Sequence, residues 1–163
     1  MLNQIMLGFK KAYDANAPLT GVMPGLVAAY PSVYGRMGLH DLGDRMFDYL
    51  RRERPDEQLN AAFCELPEMA MTPRAAFSRI VTGDVEMVPA DQLAGRIPAN
   101  SLIPYPPGIP MLMSGERFGD ADSPQLRYLL SLGKWDREFP GFEHVTEGSD
   151  VVDGMYRVMC VKE

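Results

Sequence analysis

The stretch from Leu102 to Met113 constrains this chain more than any other, because it is apolar yet interrupted by four prolines. Proline offers no N–H to a strand ladder and clashes inside a helix, so the stretch cannot be one regular strand or one helix. Its centre reads Pro104-Tyr105-Pro106-Pro107-Gly108. The paired prolines fix φ near −65° and push their neighbours into extended backbone, and Gly108 can then turn the chain with positive φ. The expected result is a stiff loop, poor in donors, that holds Tyr105 and Glu116 in defined places. A chain that must carry such a loop needs regular elements on both sides to brace it.

Those elements are legible from periodicity and punctuation. Leu2 to Ala15 has Leu2, Ile5, Met6, Phe9, Ala12 and Tyr13 at helical spacing, which predicts a helix with one buried face. Pro18 to Gly35 reads as a loop. A second helix is expected over Leu39 to Arg52, with Arg51 and Arg52 in the last turn and a break at Pro55. Leu59 to Leu66 fits either a helix or a buried strand. Thr72-Pro73 and Ser123-Pro124 both read as an N-cap followed by a first-turn proline. The first of these helices should stop at Gly83, and the second at Phe139-Pro140-Gly141. Val85 to Val88 and Met155 to Lys162 read as strands. Helices and short strands alternate without a βαβ rhythm, so the expected class is α+β. The expected organisation is a single domain over 1–163, with a helical entry region over 1–60 and a mixed core over 61–163.

Charge and cysteine usage remove several functions. With a formal charge of −6 and no basic stripe, the chain is expected to avoid nucleic acid. Two cysteines and two histidines, none at ligand spacing, give no metal site. No apolar run is long enough for a bilayer, and the lysines of MLNQIMLGFKK follow the apolar residues instead of preceding them. No membrane association and a cytoplasmic location are expected. Cys64 is expected as a buried thiol, and Met69, Met71, Met111 and Met113 as adaptable core.

The order of residues from Gly95 to Glu116, GRIPANSLIPYPPGIPMLMSGE, closely resembles the C-terminal domain of the bacterial arginine/lysine/ornithine decarboxylases that use pyridoxal phosphate. The residues that carry the resemblance are Gly95, Arg96, Ile97, Ala99, Asn100, Pro104 to Pro110, Gly115 and Glu116. LPEMAMTPRAAF from Leu66 and FPGFE from Phe139 agree with it as well. Ser114 departs, since the family usually has proline there, and this is expected to loosen the turn before Glu116.

The resemblance implies a domain that packs on the cofactor-binding domain of the same decarboxylase, shapes the approach to its active site and supports a homo-oligomer. The complete enzyme would release an amine and consume a proton, as acid resistance or polyamine supply requires. The family's cofactor lysine follows a histidine in a Ser-x-His-Lys motif, and no lysine here does. The chain alone is therefore expected to bind no pyridoxal phosphate and to contain no catalytic residue. Met1 leads straight into the helical pattern, which reads as a fragment of a longer chain exposing an apolar interface. The alternative is a stand-alone regulatory or interaction module derived from this domain.

Four residues are candidates for the active-site approach: Arg96, Asn100, Tyr105 and Glu116. Arg96 is weighed against a structural pair with Asp91 or another acid, and Asn100 against a tie to loop backbone. For Tyr105 the rival reading is a buried ring, and for Glu116 a solvated loop acid. A small hydrolase built on Asp91 and Glu116 lacks a nucleophile and base. His40 and His144 are expected to be non-catalytic. Asp120, Asp122, Glu147 and Asp150 are expected in solvated loops, where loss of charge in acid would make assembly pH-sensitive.

Overall fold

The computed structural model describes residues 2–105 and 107–162. Pro106, half of the expected Pro-Pro corner, and the Leu2 side chain lie outside the described residues. The chain divides into two compact units, Met1–Arg54 and Pro55–Glu163. The reason is local. Arg54 adopts φ 47° and ends the preceding helix, and Pro55 opens a helix that packs within the second unit.

The first unit is helical. Helix α1 (Leu2–Asp14) and helix α5 (Leu39–Glu53) pack together, with α2 (Leu19–Val22), α3 (Pro24–Ala29) and α4 (Pro31–Tyr34) between them in sequence. The Pro- and Gly-rich segment expected as loop thus forms three short helices, two of which begin with proline at the first position. Leu39, Leu42 and Tyr49 of α5 are buried, whereas Leu50 is exposed. The apolar face of α1 departs from expectation: Ile5, Met6 and Phe9 are each about 60% exposed.

The start of α5 shows why sequence neighbours do not always supply a cap. Gly38 occupies the N-cap position and has no side chain to offer. Asn16 reaches in from 24 residues away, and its Oδ1 accepts from the N–H groups of His40 at 3.0 Å and Asp41 at 3.3 Å. The Asp41 carboxylate in turn accepts from the Gly38 N–H at 2.9 Å. A Cβ at position 38 would stand 1.9 Å from Asn16 Oδ1 and 2.7 Å from the Asn16 carbonyl oxygen, so a larger residue there would displace the cap.

The second unit is α+β. Its centre is helix α8 (Pro124–Glu138), packed against α6 (Pro55–Cys64) and against strand β7 (Met155–Val161). Leu126, Leu129 and Leu132 of α8 are at most 3% exposed, and burying such a side chain contributes about 1.5–3 kcal/mol. Strand β7 runs antiparallel to β2 (Val85–Pro89) on one side and to β6 (Ser149–Val152) on the other. Asp153 and Gly154, both at positive φ, make the two-residue turn between β6 and β7.

Two small antiparallel pairs complete the unit. Strand β1 (Glu68–Met69) pairs with β4 (Glu116–Arg117), and β3 (Ile103–Tyr105) pairs with β5 (Val145–Glu147). Helix α7 (Pro73–Thr82) starts and stops where the sequence says: Thr72 Oγ1 accepts from the Ala75 N–H, and Gly83 ends it at φ 78°. Ser123 does sit at the N-cap of α8 with Pro124 after it, but its hydroxyl makes no hydrogen bond among the described residues. The apolar run 59–66 resolves as the end of α6 followed by an exposed Leu66.

Candidate functional site

The segment 95–116 is braced at both ends and free at its tip. The N–H of Gly95 donates to the Gly119 carbonyl at 2.9 Å, and the Phe118 N–H to the Arg96 carbonyl at 2.9 Å. Residues 97–99 then lie along β7: the Val161 N–H donates to the Ile97 carbonyl, and the Ala99 N–H to the Met159 carbonyl, both at 2.8 Å. Around the fully buried Leu102 and Leu112 the chain closes a hairpin: the Leu102 N–H donates to the Leu112 carbonyl at 2.9 Å, and the Met111 N–H to the Leu102 carbonyl at 2.8 Å. Beyond this clamp, the Gly108 N–H folds back onto the Pro104 carbonyl at 2.8 Å. The tip presents Tyr105, 66% exposed, and Ile109, 55% exposed.

The turn before Glu116 is tight. The Gly115 N–H donates to the Pro98 carbonyl at 2.9 Å, and the Gly115 carbonyl accepts from both Ala70 and Met71. Glu116 Oε2 accepts from the Met113 N–H at 2.7 Å, while the Glu116 N–H donates to the Met113 carbonyl. Ser114, expected to loosen this turn, instead donates its N–H to Ser101 Oγ at 3.1 Å. Proline could not make that bond. Glu116 is half-buried, and one oxygen of its carboxylate accepts from its own turn.

The remaining candidates separate. Arg96 pairs with an acid as weighed, but with Glu86 on β2 instead of Asp91, and it also reaches the Val161 carbonyl at 3.4 Å. Asn100 is half-buried, and its side chain makes no hydrogen bond among the described residues, so it ties down no backbone there. Neither described cavity is lined by Arg96, Asn100, Tyr105 or Glu116. One is a cleft of about 440 Å³ in the second unit, with Glu65, Leu66, Glu68, Arg117 and Asp120 around it. The other is an apolar groove of about 490 Å³ in the first unit, walled by Phe9, Tyr13, Met46 and Phe47.

A cluster that the sequence reading missed lies at the far end of α8. Asp136, 8% exposed, accepts at Oδ1 from the His144 N–H at 2.9 Å, with His144 Nδ1 3.1 Å from the same oxygen. Its Oδ2 accepts from the Tyr156 hydroxyl at 2.8 Å. Burial, and then the Asp136 carboxylate, push the Tyr156 hydroxyl far above the ordinary phenol value, so it remains a donor. From the preceding position on the helix, Trp135 Nε1 donates to the Phe142 carbonyl at 2.8 Å. Asp136 continues the buried stripe of Leu126, Leu129 and Leu132. A charge on that stripe requires a partner, and this was the available signal.

Other residues correct their expectations. Cys64 is exposed and Cys160 buried. Of the four methionines expected in the core, Met111 is buried, while Met69 and Met113 are exposed. Asp91, Asp120, Asp122, Glu147 and Asp150 are exposed. Among the described residues no group of three or more His, Cys, Asp and Glu side chains is placed to hold a metal, and no helix is long and apolar enough to cross a membrane. All four lysines, Lys10, Lys11, Lys134 and Lys162, lie on the surface.

Comparison with known proteins matches residues 56–162 to the family described as Orn/Lys/Arg decarboxylase, C-terminal domain. Over 96% of its length the chain is 57% identical to the biodegradative arginine decarboxylase of Escherichia coli K12, covering 21% of that protein. It is 42% identical to the lysine decarboxylase LdcA of Pseudomonas aeruginosa, over 97% of this chain and 22% of that one. Among solved structures, the constitutive lysine decarboxylase of E. coli superposes with a TM-score of 0.91 at 37% identity, over 99% of this chain and 23% of that one. The chain thus spans about a fifth of the length of the curated relatives it matches.

Proposed function

The chain belongs to the Orn/Lys/Arg decarboxylase C-terminal-domain family, and from that premise we propose that it is the accessory domain of a decarboxylase acting on a basic amino acid. In this reading it packs on the cofactor-binding part of the enzyme, forms one wall of the approach to the active site through the loop around Tyr105, and supports oligomer assembly. The complete enzyme replaces the substrate carboxylate with a proton, releasing carbon dioxide and an amine. That chemistry suits acid resistance or polyamine supply in the cytoplasm. Pyridoxal phosphate, when bound in the complete enzyme, supplies the electron sink. The described residues of this chain do not fit that group, because its four lysines are all on the surface and none lines either described cavity.

The observation that carries the reading is the family match across the whole second unit together with the braced, outward-facing Tyr105 hairpin. The exposed apolar face of α1 agrees with it, since a helix presenting Ile5, Met6 and Phe9 to water is suited to being covered by more protein. The arginine- and lysine-named relatives support a basic amino acid as the substrate class and do not choose within it.

The test is reconstitution. A decarboxylase of this family lacking its own C-terminal domain is mixed with this chain, and carbon dioxide release is followed. Recovery of activity in a complex containing both pieces is expected. A folded chain that neither binds the truncated enzyme nor restores turnover would favour the stand-alone interaction module.

A further inference from the structure

We infer that Asp136 is a positioning residue for Tyr105, acting through His144 and strand β5. The inference rests on the reading of Tyr105 as part of the active-site approach and adds the device that holds it there.

Tyr105 sits at the end of β3, and its register partner is Val145, the first residue of β5. Beyond Tyr105 the chain enters the proline corner, so the pairing with β5 is the last regular brace before the exposed tip. The position of Val145 is in turn set by His144, the residue immediately before it. Asp136 holds His144 at two points with one oxygen, the backbone N–H at 2.9 Å and ring Nδ1 at 3.1 Å. With the ring proton on Nδ1, both contacts are donated to the carboxylate, and charge-assisted bonds of this kind are the strong ones.

Asp136 itself has little freedom. Its other oxygen takes the Tyr156 hydroxyl at 2.8 Å, and that hydroxyl also lies 3.3 Å from the His144 carbonyl. Tyr156 is on β7, the central strand of the sheet, and is 2% exposed. Trp135 pins the same loop a second time at Phe142. The loop 139–144 is thereby fixed to α8 and β7, the most buried elements of the unit, and delivers β5 in one place. A lone stabilising contact would need none of this two-point grip next to a strand start. Here the grip transmits the rigidity of the core, in one residue step, to the strand that carries Tyr105.

The experiment uses the complete decarboxylase carrying this domain, with kcat and KM measured for Tyr105→Ala, Asp136→Asn, His144→Ala and His144→Asn. Tyr105→Ala is expected to raise KM about threefold or more, within the coupling range of contacting residues. Asp136→Asn and His144→Ala are expected to raise KM by a similar factor with kcat little changed. His144→Asn, whose amide can replace Nδ1 as donor, is expected to recover most of the loss. The double variant Tyr105→Ala/Asp136→Asn should be no worse than Tyr105→Ala alone. Independent, multiplying effects in that double variant would overturn the positioning role, as would a folded Asp136→Asn enzyme with unchanged KM. If Asp136→Asn fails to fold, Tyr156→Phe, which removes one contact only, takes its place in the cycle under the same criteria. An unchanged KM in Tyr105→Ala would instead sink the active-site-approach reading itself, a result distinct from failure of the relay.

Discussion

Replacing Gly115 with alanine should be far more damaging than the same change at Gly83, although both glycines have nearly the same backbone. Gly115 has φ 87° and Gly83 φ 78°. An alanine in that left-handed region costs about 1–2 kcal/mol for its Cβ alone, and at Gly83 that is the whole cost because nothing lies within 4 Å of the added carbon. At Gly115 the added carbon would stand 2.4 Å from the Met71 carbonyl oxygen. Backbone must move to relieve the contact. The bonds most directly lost are those from the Ala70 and Met71 N–H groups to the Gly115 carbonyl, 3.1 and 3.0 Å long. At about 1 kcal/mol each, they bring the expected cost of Gly115→Ala to about 3–4 kcal/mol. Urea unfolding followed by fluorescence of Trp135, the single tryptophan, reads the second unit directly. Equal midpoint shifts for the two variants would refute the argument that the 113–116 turn is held by β1 and its neighbours.

The first unit and the thiols give further tests. Asn16→Ala should destabilise α5 by about 1 kcal/mol, the usual cost of a lost cap, seen as an earlier far-ultraviolet melt. The Asn16 side chain, then the Gly38 N–H, hold the Asp41 carboxyl below its ordinary value of 3.8. Its contribution is therefore present above that ordinary value and is lost as pH falls through the depressed one. The stability difference between the native chain and Asp41→Asn should accordingly vanish at the acid end of a pH series. A difference that grew in acid would contradict the assignment. A thiol reagent should modify Cys64 in the native chain and reach Cys160 only after unfolding; two rapid equivalents would show that β7 is not where the fold places it.

The sequence exposed some elements and hid others for physical reasons. Thr72-Pro73 with Gly83 marks α7 at both ends because cap, proline and stop are all local signals. The Asp153-Gly154 turn is an equally local hairpin signal, and it was overlooked because the strand before it is only four residues long. By contrast, no local feature announces that Asn16 caps α5 or that Ser101 binds Ser114, since these bonds join residues far apart in sequence. The candidate site divided the same way. The positive φ of Gly108, 77°, follows from its own sequence, while the exposure of Tyr105 and the partners of Arg96 and Glu116 depended on which strands meet. Asp136 and His144 lie eight residues apart across the end of a helix, a separation at which composition and periodicity say nothing about contact. The exposure of Ile5, Met6 and Phe9 was also hidden: helical spacing predicts that a face will be apolar, and the surrounding protein decides whether it is covered.

The most direct test of the central claim is to incubate the purified chain with pyridoxal phosphate, reduce with borohydride and map any modified lysine. The same sample is assayed for carbon dioxide release from arginine, lysine and ornithine. The account predicts no stoichiometric adduct at any one of Lys10, Lys11, Lys134 and Lys162 and no release of carbon dioxide, because these lysines stand on the open surface. One phosphopyridoxyl lysine per chain, with carbon dioxide released from a basic amino acid, would show that this chain catalyses by itself and would contradict its reading as an accessory domain.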